Sequence, residues 1–218
     1  VAPLEWTDEE GKNVNDLLQQ TFPTSTLVNG ENATETYLKS ISQPSVLHIA
    51  THGIFLPNAT RQERRDIEVN TAFSFPAENP LLRSMLALAD FNSRGRENST
   101  DDGVFTALEA SGLNLYGTRL VTLSACDTGS GDVVSGEGVY GLRRAFVIAG
   151  AESLLMSLWQ VDDRTTADMM TRYYEGLLKR GEGRSEALRK IQLEMIASED
   201  RELRHPNRWA DFVLTGDW

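Results

Sequence analysis

One thiol and one imidazole stand out as residues that could carry covalent chemistry. Cys126 is the single cysteine of the chain, and it ends a run of alternating β-branched and leucine residues that starts at Arg119 and predicts a buried strand. His52 follows a second predicted strand, Val46–Thr51. In open α/β sheets the carboxyl ends of the strands carry the chemistry. A thiolate beside an imidazole at that edge is an activated nucleophile for covalent catalysis.

Each of these residues also has a structural interpretation. A lone cysteine is by default a small buried apolar residue, but Cys126 precedes Asp127-Thr-Gly129, where the chain must turn and present a side chain to solvent. His52 either caps its strand or acts with Cys126, and Gly53 after it offers an unobstructed amide to an oxyanion. His48 lies among apolar strand residues and is predicted to be a core histidine. His205, beside Pro206, is predicted to be a surface or turn residue.

Two other kinds of site are disfavoured. His48 and His52 have the spacing of a zinc-binding helix, but their segment reads as a strand and lacks the intervening glutamate. The run Gly136–Gly141 has the Gly-x-Gly-x-x-Gly spacing of a dinucleotide-binding motif. It does not directly follow a predicted strand, however, and Glu137 would repel a pyrophosphate. We therefore expect neither a metal nor an organic cofactor.

The elements that position these residues alternate between strands and helices. This rhythm predicts an α/β fold with a mainly parallel sheet. The predicted strands are Thr26–Val28, Val46–Thr51, Met85–Ala89, Arg119–Cys126, Glu152–Trp159 and Trp209–Thr215. The predicted helices are Val14–Phe22, Ala33–Ile41 capped by Asn32, Thr106–Ser111, one ending at Ala149, Thr165–Lys179 capped by Asp163, and Glu186–Ile196 capped by Ser185. The polar stretches Ile54–Leu82 and Asn92–Asp102 are candidate gating loops.

Composition narrows the class of protein. A chain of 218 residues with 40% hydrophobic residues can bury the core of one domain, residues 1–218. The net charge of −11 argues against direct nucleic-acid binding, and no apolar run reaches the length of a membrane span. A single cysteine and no signal-peptide pattern favour the cytoplasm. Because the chain starts at Val1, we expect a fragment of a larger protein.

Several separated motifs, in this order, resemble the CHAT domain, a caspase-like module related to separase and the gingipains. The motifs are His48–Gly53, Leu123–Gly129, Gly136–Gly138, Ala149–Ala151, Ser157–Asp163, His205–Pro206 and Trp209–Gly216. The resemblance implies a caspase–haemoglobinase fold, with a mainly parallel central sheet sandwiched by helices. It also implies a tetratricopeptide-repeat (TPR) region in the same parent chain.

The resemblance assigns roles to particular residues. His52 matches the general base of a Cys–His dyad and Cys126 its nucleophile, and the oxyanion is bound by the amides of Gly53 and Cys126. These roles imply a cysteine endopeptidase that cleaves a protein or peptide substrate. The alternative is a non-catalytic CHAT module that binds protein partners without cleaving them.

The segment after the strand at Ser157 is the expected substrate-binding region, with Ser157 and Trp159 beside the substrate backbone. Asp162 and Asp163 make this segment acidic, which leads us to expect a basic P1 residue, Arg or Lys. Further acids expected nearby are Asp127, Asp132 and Glu137. The alternative is that these aspartates are only helix caps and salt-bridge partners.

Overall fold

The structure, a computed structural model, describes residues 4–56, 80–93, 101–127, 137–159 and 162–217. Most of the predicted loop Ile54–Leu82, much of Asn92–Asp102, and Asp132 lie outside the described residues. The described strands form one six-stranded sheet in the order β3-β2-β1-β4-β5-β6. Their bounds are β1 Val46–Phe55, β2 Ser84–Ala87, β3 Val104–Thr106, β4 Leu120–Asp127, β5 Ser153–Ser157 and β6 Phe212–Gly216.

The α-helices in the described ranges cover both faces of this sheet. Their bounds are α1 Thr7–Thr21, α2 Glu35–Ser40, α3 Ala107–Ala110, α4 Glu137–Ile148, α5 Asp163–Lys179, α6 Arg184–Ile196 and α7 Pro206–Trp209. Short 3₁₀ turns lie at Gly30–Asn32, Pro80–Leu82 and Phe91–Ser93. None of the helices described has both the length and the apolar character that crossing a membrane requires.

The centre of the sheet is parallel and its flanks are antiparallel. β4 pairs in parallel with β1 on one side and with β5 on the other. β2 and β3 extend the β1 side by antiparallel pairing, and β6 pairs antiparallel with β5. The predicted α/β class with a sheet sandwiched by helices is confirmed.

Two apolar cores fill the space between the sheet and its helices. On one face α2, α3 and α4 enclose what we call the α4 core, which includes Phe105, Leu123, Leu142, Phe146 and Met156. On the other face α1, α5 and α6 enclose the α5 core, which includes Val14, Leu120, Leu155, Tyr173, Tyr174 and Phe212. The sheet separates the cores because side chains alternate between its faces.

β1 is longer than the sequence indicates. Its residues Val46–Gly53 run parallel to β4, and Gly53–Phe55 then pair antiparallel with β2. His52 and Gly53 therefore lie inside a strand instead of at its tip. Gly53 lies within β1 and has no positive φ.

Several predicted boundaries differ from the observed ones. Residues Thr26–Val28 form extended chain instead of a strand, with Leu27 40% exposed. The cap of α2 is Thr34, whose hydroxyl accepts from the Tyr37 amide, instead of Asn32. Asp162 instead of Asp163 caps α5, and Gly183 instead of Ser185 precedes α6.

Candidate active site

The pairing of β1 with β4 brings His52 and Cys126 together. The register runs without interruption from Val46 opposite Leu120 to Gly53 opposite Asp127, and in it His52 lies directly opposite Cys126. Neighbouring strands lie about 4.8 Å apart, so the two backbones are in contact. His52 is partly exposed as a residue, while the Nδ1 atom of its ring is buried.

This pair lies at the carboxyl-terminal edge of the parallel centre. The register between β4 and β5 ends at Leu123 and Met156, before β4 reaches Cys126. On its other side β5 pairs with β6 along its whole length, and the Leu158 amide continues that pairing by donating to the Asp211 carbonyl at 2.8 Å. Cys126 thus lies beyond the paired part of β4 and β5, at the edge where α/β proteins bind ligands.

A buried polar network lies beneath this pair. Glu10 on α1 is 1% exposed, and its carboxylate contacts His48 Nε2 at 2.9 Å and accepts from Ser124 Oγ at 3.2 Å. His48 Nδ1 lies 3.2 Å from the Tyr174 hydroxyl. Both ring nitrogens of His48 are therefore engaged, and the prediction of a core histidine is confirmed.

Tyr174 connects the same network to α5. Its hydroxyl lies 2.9 Å from Thr122 Oγ1 on β4, and burial raises the pKa of Tyr174 far above its ordinary value. The Tyr174 phenol is therefore neutral at neutral pH and acts through hydrogen bonds.

Along the described ranges, no group of three or more His, Cys, Asp or Glu side chains is placed to hold a metal ion.

The sequence reasoning missed this network, although a signal was available. Glu10 shares one helical stripe with Val14, Leu17 and Leu18, which are all buried in the α5 core. A carboxylate within an apolar stripe requires a partner inside the protein, because an unpaired buried charge is costly. That rule predicts a basic or hydrogen-bonding residue opposite Glu10.

The two predicted oxyanion donors lie inside the β1–β4 pairing. Gly53 is opposite Asp127, and Cys126 is opposite His52. A backbone amide has one proton to donate. An amide that donates within the β1–β4 ladder must leave that ladder before it can bind an oxyanion.

The predicted substrate-binding residues on β5 and beyond have structural partners. Ser157 is 3% exposed and its hydroxyl donates to the Ala125 carbonyl at 2.7 Å. Trp159 is partly buried, and its indole nitrogen donates to the Asn207 carbonyl at 3.3 Å. Neither polar atom is a free donor for a substrate backbone in this arrangement.

The two predicted specificity acids are placed at the start of α5. Asp162 caps the helix by accepting from the Thr165 amide at 3.1 Å, and its half-exposed carboxylate lies 3.8 Å from Arg208. Asp163 accepts from the Trp6 amide at 2.8 Å. The structure therefore engages both acids as a cap and as a link to the chain before α1. Asp127 lies in β4 and Glu137 begins α4.

The parallel centre, the helices on both faces and the His–Cys pair at the carboxyl edge define a caspase-like α/β domain. The family model of the CHAT domain matches residues 1–217. The chain belongs to the CHAT-domain family, which is related to the caspase-like peptidases.

Two curated relatives match almost the whole chain. Tetratricopeptide repeat protein 28 of Mus musculus is 27% identical over 226 residues, which cover 99% of this chain. The protein of the same name from Homo sapiens is also 27% identical over 226 residues and 99% of this chain. The chain spans only 9% and 8% of the length of these two relatives.

Proposed function

We propose that this chain is a cysteine endopeptidase domain in which Cys126 is the nucleophile and His52 the general base. The observation that carries the proposal is the register of β1 and β4, which puts the only cysteine directly opposite a partly exposed histidine. An activated nucleophile requires a thiol and a base whose side chains come within hydrogen-bond reach, and opposite positions on adjacent strands support such an approach. Membership of a family related to caspase-like peptidases supports the same chemistry.

In the proposed reaction the Cys126 thiol gives its proton to His52, and the thiolate attacks the scissile carbonyl. The negative charge moves to the carbonyl oxygen and is bound by the amides of Cys126 and Gly53. The imidazolium returns the proton to the leaving amine as the C–N bond breaks, which leaves a thioester. A water molecule, deprotonated by His52, then hydrolyses the thioester to a carboxylic acid and restores the thiol.

We propose that the substrate chain binds along the segment that follows β5, in strand-like pairing. The preference for a basic P1 residue then rests mainly on Asp162, whose carboxylate is 48% exposed while it caps α5. The Asp162→Asn variant separates the two roles, because asparagine caps a helix as well as aspartate but carries no charge. We expect a roughly tenfold or greater loss of kcat/KM for Arg at P1 and little change for Ala at P1. Equal losses for both peptides contradict a basic preference.

The dyad is tested by peptide hydrolysis together with alkylation of the single cysteine. Wild type is compared with Cys126→Ala, His52→Ala and the control His205→Ala, which changes an exposed histidine at the start of α7. We expect hydrolysis to be lost in the first two variants and kept in the control. We also expect alkylation of Cys126 at neutral pH to slow in His52→Ala, since the imidazole no longer stabilises the thiolate.

A non-catalytic module that binds protein partners is the second candidate. It is favoured by one observation, that both predicted oxyanion donors lie at paired positions of the β1–β4 ladder. This candidate predicts no hydrolysis of any peptide in the panel. It also predicts a Cys126 alkylation rate that is the same in wild type and His52→Ala.

We further propose that residues 1–218 are one domain of a longer parent chain that contains a TPR region. The support is the name of the two relatives, tetratricopeptide repeat protein 28, and the small share of their length that this chain covers. Substrate docking by such repeats predicts a lower KM when they are present in the same polypeptide. Comparison of the isolated domain with the parent protein on one protein substrate tests this.

A further inference from the structure

β4 passes beyond its partner β5 before it reaches Cys126. The last register pair between these strands is Leu123 with Met156, and the Leu158 amide donates to Asp211 on the other side of β5. The Ala125 carbonyl is therefore beyond the regular ladder. It accepts instead from the hydroxyl of Ser157, at 2.7 Å, and this hydroxyl belongs to a side chain that is 3% exposed.

We propose that Ser157 is a positioning residue that holds the end of β4, and with it Cys126, in register with His52. This inference rests on the proposed function of the dyad. Successive residues of a strand direct their carbonyl and amide groups to opposite neighbours. The Ser157 bond fixes Ala125 from the β5 side, while the next residue, Cys126, is paired with His52 on the β1 side.

The geometry explains why a hydroxyl is suited to this position. A backbone carbonyl left buried without a donor costs free energy, and the structure would relax by moving the end of β4. Because Ala125 and Cys126 share one planar peptide unit, rotation of that carbonyl also rotates the Cys126 amide. β1 has a similar bond, in which the hydroxyl of Thr51, directly before His52, donates to the Ala87 carbonyl.

The chain contains a matched control for this bond. Ser153 lies on the same strand, is 2% exposed, and donates its hydroxyl to the Arg119 carbonyl at 2.5 Å. That bond is at the opposite end of the sheet from Cys126, since β5 runs parallel to β4. Loss of either hydroxyl removes a hydrogen bond from a buried serine to a carbonyl, but only Ser157 contacts the residue before Cys126.

The test compares wild type with Ser157→Ala, Ser153→Ala and Ser157→Thr. Three properties are measured: the melting temperature, kcat and KM for a cleaved peptide, and the rate of Cys126 alkylation by iodoacetamide as a function of pH. We expect both alanine variants to lower Tm by a similar few degrees. Only Ser157→Ala should lower kcat, by roughly ten- to a hundredfold with KM nearly unchanged, because a small misplacement of a reacting group has that effect.

Alkylation separates this inference from the peptidase proposal, since it reports on the single cysteine with or without hydrolysis. In Ser157→Ala we expect a rate several-fold below that of Ser153→Ala and a pH midpoint nearer the ordinary thiol value of about 8.5. Ser157→Thr, which keeps the hydroxyl, should restore most of the rate. If wild type cleaves no peptide and this alkylation difference is still seen, Ser157 positions Cys126 in a chain that is not a peptidase. Equal alkylation rates in Ser157→Ala and Ser153→Ala overturn the inference, whatever the hydrolysis.

Discussion

Asp211 is a carboxyl group that the folded chain removes almost completely from water, with 1% of the residue exposed. It lies directly before β6, and its backbone carbonyl accepts from the Leu158 amide at 2.8 Å. Within the part of the chain that the structure describes, one carboxyl oxygen has no hydrogen-bond partner. Burial raises the pKa of Asp211 to about 7, although its own amide and that of Phe212 act in the opposite direction.

This raised pKa makes stability depend on pH with a definite sign. The unfolded carboxyl has a pKa of about 3.9, so between about pH 4 and 7 only the folded protein binds this proton. The contribution of Asp211 to the free energy of unfolding therefore falls as pH rises through that window, and it is constant above it. Compared with wild type, Asp211→Asn should gain on the order of 2 to 3 kcal/mol between pH 5 and pH 8.

Urea unfolding of both proteins at pH 5 and pH 8 measures this gain. The comparison across pH cancels any fixed cost of the amide group, such as a buried NH₂ without an acceptor. A difference between the two proteins that is the same at both pH values would show that Asp211 is already charged in the folded state at pH 5.

At the scale of elements, Glu10 joins the first helix to both strands of the candidate dyad. It contacts His48 on β1 and Ser124 on β4, and each of these lies on the same strand face as its dyad residue by the alternation of the strands. Truncation of a buried charged group leaves its partners without a counterpart and costs about 3–5 kcal/mol. Glu10→Ala should destabilise the chain by about this amount, while Glu10→Gln keeps the shape and an acceptor and should cost less.

The difference in stability between Glu10→Ala and Glu10→Gln separates the contribution of the hydrogen bonds of Glu10 from the contribution of its packing. Tyr174→Phe removes the hydroxyl that contacts both Thr122 and His48 and should cost about 1–3 kcal/mol, the range for leaving a buried polar partner unsatisfied. The measurement is the midpoint of urea unfolding for each variant, with Glu9→Ala as an exposed control on α1. If Glu10→Ala were no more destabilising than Glu9→Ala, the network would contribute nothing to the docking of α1.

The strands of the parallel centre could be predicted from the sequence because short, continuous apolar runs between turn residues are typical of buried strands. β4 and β5 are buried on both faces, and their runs of Leu, Val and Met gave their positions within two residues. The register that places His52 opposite Cys126 is different, since it depends on pairing between distant segments. The ends of two predicted strands indicated Cys126 and His52 as a pair, and the resemblance to a known family assigned their roles, but neither gave the register.

Features set by contacts between elements were predicted less well. The end of β1 was missed because β2, which begins 29 positions after β1 ends, extends it by antiparallel pairing. Asp162 and Asp163 are adjacent acids at the start of one helix, and the sequence does not show that Asp162 is the cap while Asp163, the first helical residue, accepts from the Trp6 amide. The bond from Ser157 to the Ala125 carbonyl could not be predicted, because a backbone carbonyl on another strand leaves no trace in the sequence.

At the scale of the whole molecule, the sheet joins two apolar cores that share no side chains. The α4 core and the α5 core are both built on β4 and β5, which contribute alternate residues to each: Leu123 and Met156 to the first, Leu120 and Leu155 to the second. Loss of packing in one core therefore destabilises β4 and β5, and the other core is built on the same two strands. We infer that the described part of the chain unfolds as one cooperative unit, as small domains usually do.

The Leu142→Ala variant tests this cooperativity. Leu142 on α4 is 1% exposed, and its truncation should cost about 2–5 kcal/mol, whereas Ile148→Ala on the same helix is 55% exposed and should change stability by about 0.5 kcal/mol or less. Unfolding is followed by far-UV circular dichroism and by tryptophan fluorescence, to which Trp209 beside the α5 core contributes. Because the strands are shared, Leu142→Ala should move both transitions to the same lower urea concentration. A fluorescence transition that stays at the wild-type midpoint while the dichroism transition splits would mean that the α5 core folds independently of the α4 core.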